Sequence, residues 1–158
     1  MATPITLLYG TSNQTITLTG ASLANNAARA SSAIDNTSNL FEDFKVQITL
    51  TSGSTGTSAT GLANIFVVAS SDNGTTYGES ATGSDAAITL TVPTNAKLIG
   101  SINVVANSKL YNGDPYSVSI VYGGYMPAKF VVILQNLSGH AFAATATVSI
   151  YQGVQHQA

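Results

Sequence analysis

The chain has 158 residues, of which five are Lys or Arg and seven are Asp or Glu, giving a net charge of −2. A free-standing soluble domain usually carries charged residues on about a quarter to a third of its surface, so a chain with 8% charged residues is unusual. The dispersed cations argue against nucleic-acid binding, and the lack of cysteine excludes disulfides and thiolate metal sites.

The first ten residues form an apolar N-terminal arm, predicted to be either an edge strand or a segment lying across a neighbouring subunit. No basic residue precedes its short apolar stretch, so we expect no secretory signal. No apolar run in the chain approaches the roughly 20 residues that span a bilayer, so we expect no membrane partner. The candidate contact residues in the arm are Pro4, Ile5, Leu7, Leu8 and Tyr9.

Period-two alternation of apolar and polar residues follows the arm and predicts strands with one buried face. The alternating runs lie at 15–19, 44–51, 88–92, 116–120 and 144–150. Between the first two, residues 22–33 are predicted to be a loop leading into a strand. Residues 153–158 are predicted to be a short C-terminal tail.

Two runs, at 64–69 and 130–134, are apolar on both faces. Such runs indicate central strands, or strands that another subunit covers. Turn-forming sequences separate the runs, including a predicted tight hairpin at Asp72-Asn73-Gly74, a turn at 112–115 and a mobile surface loop at 51–60. The pattern predicts one all-β domain over residues 1–158, a two-sheet antiparallel sandwich of jelly-roll or Greek-key type with eight to ten strands.

Catalytic and metal-binding patterns are weak. Glu42 and Asp43 are adjacent carboxylates, but neighbours on a strand point to opposite faces and could not share a substrate. His140 and His156 have no suggested orienting partner. The segment from Asp72 resembles a calcium loop only in composition. We therefore predict no enzyme activity, no catalytic residue, no cofactor and no metal.

Tyrosine is the most suggestive residue type, because its ring can anchor a protein interface or stack on a sugar. Four tyrosines fall between positions 111 and 125. Tyr122 and Tyr125 complete the set of predicted contact residues. A carbohydrate-binding module of a tail or fibre is the alternative function, although the usual sugar-stacking residue, tryptophan, is absent.

Three blocks of the sequence carry a resemblance to a known group of proteins. They are SLA at 22–24 with ARAS at 28–31 and AIDN at 33–36; SDNGTTY at 71–77 with ATGSDA at 81–86; and YGG at 122–124 with PAK at 127–129 and QNLSG at 135–139. In overall pattern, over residues 20–155, the chain resembles small structural proteins of tailed bacteriophages, a group that includes jelly-roll capsid decoration (cement) proteins.

The resemblance implies a virion protein on the capsid surface, made in the host cytoplasm, that bridges neighbouring major capsid subunits. It also implies a homo-oligomer, with a trimer favoured and a dimer as the alternative. A tail or connector component would share the same logic of assembly. The resemblance brings no catalytic residue with it.

Overall fold

The computed structural model describes residues 5–10, 12–145 and 148–157. Within them, twelve strands form two antiparallel sheets of six strands each, which confirms the predicted two-sheet all-β sandwich. The strands are β1 (Thr6–Tyr9), β2 (Gln14–Thr15), β3 (Ala28–Ala30), β4 (Ile34–Asp35), β5 (Asp43–Thr51), β6 (Leu62–Ser70), β7 (Ala86–Ile88), β8 (Lys97–Asn103), β9 (Leu110–Asn112), β10 (Tyr116–Ser117), β11 (Lys129–Leu137) and β12 (Val148–Gln157). Strands of only two residues explain why the number exceeds the predicted eight to ten.

The first sheet has the order β1-β12-β5-β10, with β2 also paired to β12 and β9 also paired to β5. The second sheet has the order β7-β3-β11-β6-β8, with β4 also paired to β11. The main core lies between the sheets. β5 shows why it forms, because its alternating residues Phe44, Val46, Ile48 and Leu50 are all fully buried, as the sequence pattern predicts.

The two doubly apolar runs are β6 and β11, which pair with each other at the centre of the second sheet. Their inner residues belong to the main core, whereas outer residues such as Phe66 and Ile133 form a second apolar cluster. Tyr77, Ala81 and Ala96 from the connection between β6 and β8 cover that cluster. The first alternative, central strands, is therefore confirmed, and the chain itself supplies the cover.

Both termini of the described chain lie in the first sheet. β1 pairs along β12 of its own chain, so this part of the arm is an edge strand. The predicted tail at 153–158 is wrong for the described residues, because β12 continues to Gln157 between β1 and β5. The sequence does not reveal the part of β12 beyond Ile150, because Gly153 and Gln155 occupy positions where an alternating strand would carry apolar residues.

Several predicted strands are shorter than their alternation suggests. The run at 15–19 contributes only Thr15, to β2, and in the run at 144–150 the described strand begins at Val148. The run at 116–120 forms a strand only over Tyr116–Ser117, and the chain then enters a 3₁₀ helix, Ser119–Tyr122, that ends at Gly123 with φ of 74°. The run at 88–92 contributes only the end of β7. The described residues contain one other 3₁₀ helix, Gly78–Ser80. Among the described residues, no helix is long and apolar enough to cross a bilayer.

Two predicted turns have a different role from the one expected. Asn73 and Gly74 do adopt positive φ, but no hairpin forms there, since the strand that follows, β7, pairs with β3 and not with β6. Residues 112–115 do not reverse the chain either. β9 and β10 both run antiparallel to β5, so the segment between them is a bulge along one edge.

The predicted mobile loop at 51–60 is held by hydrogen bonds to its neighbours. The Ser52 hydroxyl donates to the carbonyl oxygen of Ala106 (2.6 Å), and the Ser58 amide donates to the carbonyl oxygen of Ser138 (2.7 Å). The loop is therefore anchored at both ends of its Ser-, Thr- and Gly-rich sequence. Residues 22–33 agree with the prediction, as turns lead into β3.

Candidate functional site

Three of the predicted contact residues, Leu8, Tyr9 and Tyr125, meet at one corner of the sandwich, around the connection at 36–42 between β4 and β5. The amide of Glu42 donates to the carbonyl oxygen of Val154, which places the connection beside β12 and its neighbour β1. Phe41 borders two hollows, one shared with Leu8 and Tyr9 and the other shared with Tyr125. The structure therefore brings the arm and Tyr125 to the same loop. Pro4 lies outside the described residues.

The side chain of Asn36 builds this loop. Its Nδ2 donates to the carbonyl oxygen of Phe41, and its Oδ1 accepts from the amide of Phe41, both at 2.9 Å. Its own carbonyl oxygen accepts from the amide of Leu40 (3.0 Å). Because Asn36 is itself buried, these bonds are shielded from water and fix the backbone of the loop.

Leu40 is displayed at the tip of the loop. Its φ is 52°, in the left-handed region that bulky residues rarely adopt, and its side chain is 73% exposed. Backbone strain of this kind persists only where the surrounding structure imposes it, and it is concentrated at functional sites. The strained, exposed Leu40 therefore makes this loop a candidate contact site.

Further exposed apolar side chains surround the loop. Tyr125 is 81% exposed, and the two hollows that Phe41 borders connect it and Leu40 to β1. We call three of these residues, Tyr9, Leu40 and Tyr125, the Leu40 corner, because each borders one of the two hollows. Ile5 and Leu7 are also exposed but border neither hollow. Exposed apolar residues that cluster in this way mark interaction surfaces.

Tyr122 differs from Tyr125 in its surroundings. Its ring packs against the main core, and its buried hydroxyl has no hydrogen-bond partner in the described part of the protein. Burial raises the pKa of Tyr122 to about 12. Tyr122 therefore supports the connection that carries Tyr125 and offers little of its own surface.

A groove of about 390 Å³ lies beside the Leu40 corner, between the loop and the first sheet. Its floor includes Gly153, where an added Cβ would come within 2.4 Å of the Phe41 ring, so the ring rests directly on the strand. Its lining residues are Leu8, Tyr9, Gly10, Ser12, Gln14, Asn39, Phe41, Tyr151, Gly153 and Gln155. None of them is an acid, a base or a histidine.

The candidate catalytic residues have local partners instead of a shared cleft. Glu42 Oε2 lies 2.6 Å from His156 Nδ1, a pair at the edge of the Leu40 corner that joins the loop to β12. Asp43 turns to Lys45 (2.8 Å) and Ser117, as expected from its opposite direction. Within the described residues, the ring of His140 makes one polar contact, with the carbonyl oxygen of Ala141 (3.3 Å), and it packs against Gly53 and Gly56.

The Asp72 turn is closed by its own side chains. The Asp72 carboxylate accepts hydrogen bonds from the Ser70 hydroxyl (2.6 Å) and from the amide and hydroxyl of Thr76. These hydrogen bonds hold the pKa of Asp72 well below its usual range. Among the residues in the described ranges, no group of three or more His, Asp or Glu side chains could hold a metal ion.

Carboxylates that fasten loops make the fold sensitive to acid. Hydrogen bonds from Thr37, aided by Lys129, lower the pKa of Asp35 to about 2. Burial raises the pKa of Glu79, but hydrogen bonds from Thr91 and from the amide of Asn95 outweigh it and lower that pKa to about 2. The corresponding unfolded-state values are 3.8 and 4.5.

We therefore expect the free energy of unfolding to be steady above about pH 4.5 and to fall as the pH drops towards 2, because the unfolded chain takes up these protons first. Urea denaturation at pH 6 and at pH 2.5 measures the difference. The Glu79→Gln variant should show a smaller decrease than the wild type. Equal stability of the wild type at both pH values would contradict the assignment of these pKa shifts.

Sequence reasoning missed three residues of this site. Asn39, Leu40 and Phe41 lie in a short connection, where no periodicity distinguishes a displayed side chain from a buried one. The pair of hydrogen bonds between the side chain of Asn36 and the backbone of Phe41 is visible only in three dimensions.

No protein-family model matches the chain, and no curated protein matches it either.

Proposed function

We propose that this chain is a non-enzymatic structural protein of a virion, a capsid decoration protein that docks through its Leu40 corner on the major capsid protein of a tailed phage. The observation that carries the proposal is the strained, 73% exposed Leu40 on a loop fixed by the buried Asn36. A rigid loop loses little conformational entropy on binding, so its exposed leucine can act as an anchor.

The composition supports a role in an assembly. With 12 charged residues among 158, copies of the chain repel one another little when they crowd on a lattice. Many weak apolar contacts, each repeated by symmetry, can hold such a protein without a deep pocket. The resemblance to phage decoration proteins supplies the specific form of the proposal, including a homo-oligomer for which a trimer is favoured.

The fold also narrows where the partner can bind. The outer face of β6 and β11 is buried under Tyr77, Ala81 and Ala96, so the side chains of Phe66 and Ile133 are not available to a neighbour. Part of the arm is occupied as well, since β1 is paired to β12. The exposed apolar side chains at the Leu40 corner remain available, and they support docking there.

Co-sedimentation with capsids tests the proposal. Heads assembled from the cognate major capsid protein, without the decoration protein, are mixed with the purified chain and pelleted. We expect the wild-type chain to pellet and the Leu40→Ser variant to bind at least about tenfold more weakly, since burying a leucine contributes about 1.5–3 kcal/mol.

The matched control is Leu110→Ser. Leu110 is 58% exposed and pairs with Thr51 at the far end of β5 from the loop, roughly 25 Å along the strand. We expect this variant to bind like the wild type. Failure of the wild type to pellet would overturn the proposal, and equal losses in the two variants would remove the Leu40 corner from it.

A further inference from the structure

We infer that the groove between β1, β12 and the loop at 36–42 is a binding site for a neutral saccharide. This inference does not rest on the proposed docking function, because the groove and the Leu40 corner share only Tyr9, and Leu40 itself does not line the groove. The groove has about 390 Å³ of space, within the range of small-molecule sites.

The lining determines the class of ligand. No ionic side chain lines the groove, so nothing there would neutralise a phosphate, a carboxylate or a cation. The nearest ion-pairing groups, Glu42 and His156, are bound to each other. An uncharged ligand is therefore favoured over an ionic one.

The aromatic side chains suit a sugar ring. Tyr9, Phe41 and Tyr151 border the groove, and each offers a flat apolar surface against which the C–H face of a pyranose can pack. Phe41 and Tyr151 are held in place because both pack against the main core, Phe41 at 5.4 Å and Tyr151 at 5.0 Å from the ring of Phe44. The binding surface is thus formed before a ligand arrives.

Several polar side chains that line the groove can still form hydrogen bonds with the hydroxyl groups of a ligand. The side-chain amides of Asn39 and Gln155 and the hydroxyl of Tyr151 find no hydrogen-bond partner within the described part of the chain. By contrast, the amide of Gln14 already donates to Ser12 (3.1 Å). A ligand that both donates and accepts hydrogen bonds around an apolar ring would satisfy the unpaired groups.

The wall opposite the loop is also preformed. The amide of Gly10 donates to the carbonyl oxygen of Gly153 (2.8 Å), and Gln152 Nε2 donates to the carbonyl oxygen of Gly10 (3.0 Å). These bonds hold the segment between β1 and β2 against β12. Binding therefore does not require this wall to fold.

A glycan array probed with the full chain tests the inference, with neutral hexose and N-acetylhexosamine glycans beside sialylated and uronic-acid glycans. We expect retention of at least one neutral glycan and of none that depends on an acidic sugar. NMR titration with the retained glycan then gives the affinity. The Asn39→Ala and Gln155→Ala variants should each bind about three- to tenfold more weakly, as expected for one lost hydrogen bond.

Three results would overturn the inference: no neutral glycan retained, retention of acidic glycans only, or unchanged affinity in both variants. Unchanged melting temperatures show that the variants are folded, and Asn39→Ala, in an exposed loop position, keeps the test open if Gln155→Ala unfolds. The Leu40→Ser variant should bind the glycan like the wild type. Failure of capsid docking and failure of glycan binding are thereby separated.

Discussion

Replacing Phe44 with alanine is expected to lower the free energy of unfolding by about 3–5 kcal/mol. Phe44 is fully buried in β5, and three aromatic rings surround it with centroids at 5.0–5.4 Å: Phe41, Phe130 and Tyr151. Phe130 belongs to the opposite sheet, so the ring joins the two layers of the sandwich. Removing it leaves a cavity that neighbours on two rigid strands cannot fill.

The loss would be a large share of the stability of a typical domain, about 5–15 kcal/mol. Urea denaturation of Phe44→Ala beside Val92→Ala measures it, since Val92 is 98% exposed and should change stability by less than about 0.5 kcal/mol. Because Phe41 and Tyr151 rest on Phe44, glycan binding should weaken in the same variant. A loss below about 1 kcal/mol would show that the ring is not the centre of the core.

Replacing Asn136 with alanine is expected to destabilise the protein by about 2–4 kcal/mol, although only a polar side chain is removed. Asn136 is fully buried. Its Nδ2 donates to the carbonyl oxygens of Leu23 and His140, both at 2.8 Å, and its Oδ1 accepts from the amide and the hydroxyl of Ser138. Alanine would remove all four of these bonds. The carbonyl oxygens of Leu23 and His140 keep one other donor each, the amide of Phe142 and the hydroxyl of Ser138, whereas the Ser138 amide loses its partner.

Asn136→Asp sharpens this test, because aspartate keeps the acceptor for Ser138 but replaces the donor with an oxygen that faces two carbonyl oxygens. It should therefore be at least as destabilising as alanine near neutral pH. The control is Asn103→Ala, at an exposed position at the end of β8. If Asn136→Ala were as mild as Asn103→Ala, the side-chain network would contribute nothing to stability.

The strands that the sequence revealed are those whose two faces differ in a regular way or are both apolar. β5 alternates through nine residues, and β6 and β11 contain continuous apolar runs. The order of apolar and polar residues was therefore enough to predict that these segments are strands and which of their faces are buried. Only the first three residues of β12 fall in the predicted run at 144–150, and there the buried residue is Ser149, whereas Val148 is 55% exposed. The rest of β12 was hidden because the positions that follow on this inward face include Gly153 and Gln155. A pattern method cannot recognise a strand whose buried face is small or polar.

The second apolar cluster was equally hidden from the sequence. Tyr77, Ala81 and Ala96 lie at irregular spacings in a connection rich in Gly, Ser and Thr, and they cover the second sheet only because the fold returns that connection to it. Turn residues such as Asn73 and Gly74 revealed a positive φ but not the direction in which the chain continues. Tertiary packing decides that direction.

The sequence predicted some residues of the candidate site and missed others. The apolar arm and Tyr125 stood out as uncharged and aromatic, whereas Leu40 did not, since a single leucine in a connection carries no periodic signal. Its importance follows from a backbone angle and from the buried amide of Asn36. Neither can be read from residue order.

The most direct test of the proposed docking is a cryo-electron microscopy map of decorated heads at a resolution that shows side chains. The account predicts that the loop at 36–42 and Tyr125 lie against the major capsid protein, with Leu40 buried in the contact. It is contradicted if the chain occupies the shell with Leu40 and Tyr125 facing solvent, or if the heads carry no density for the chain.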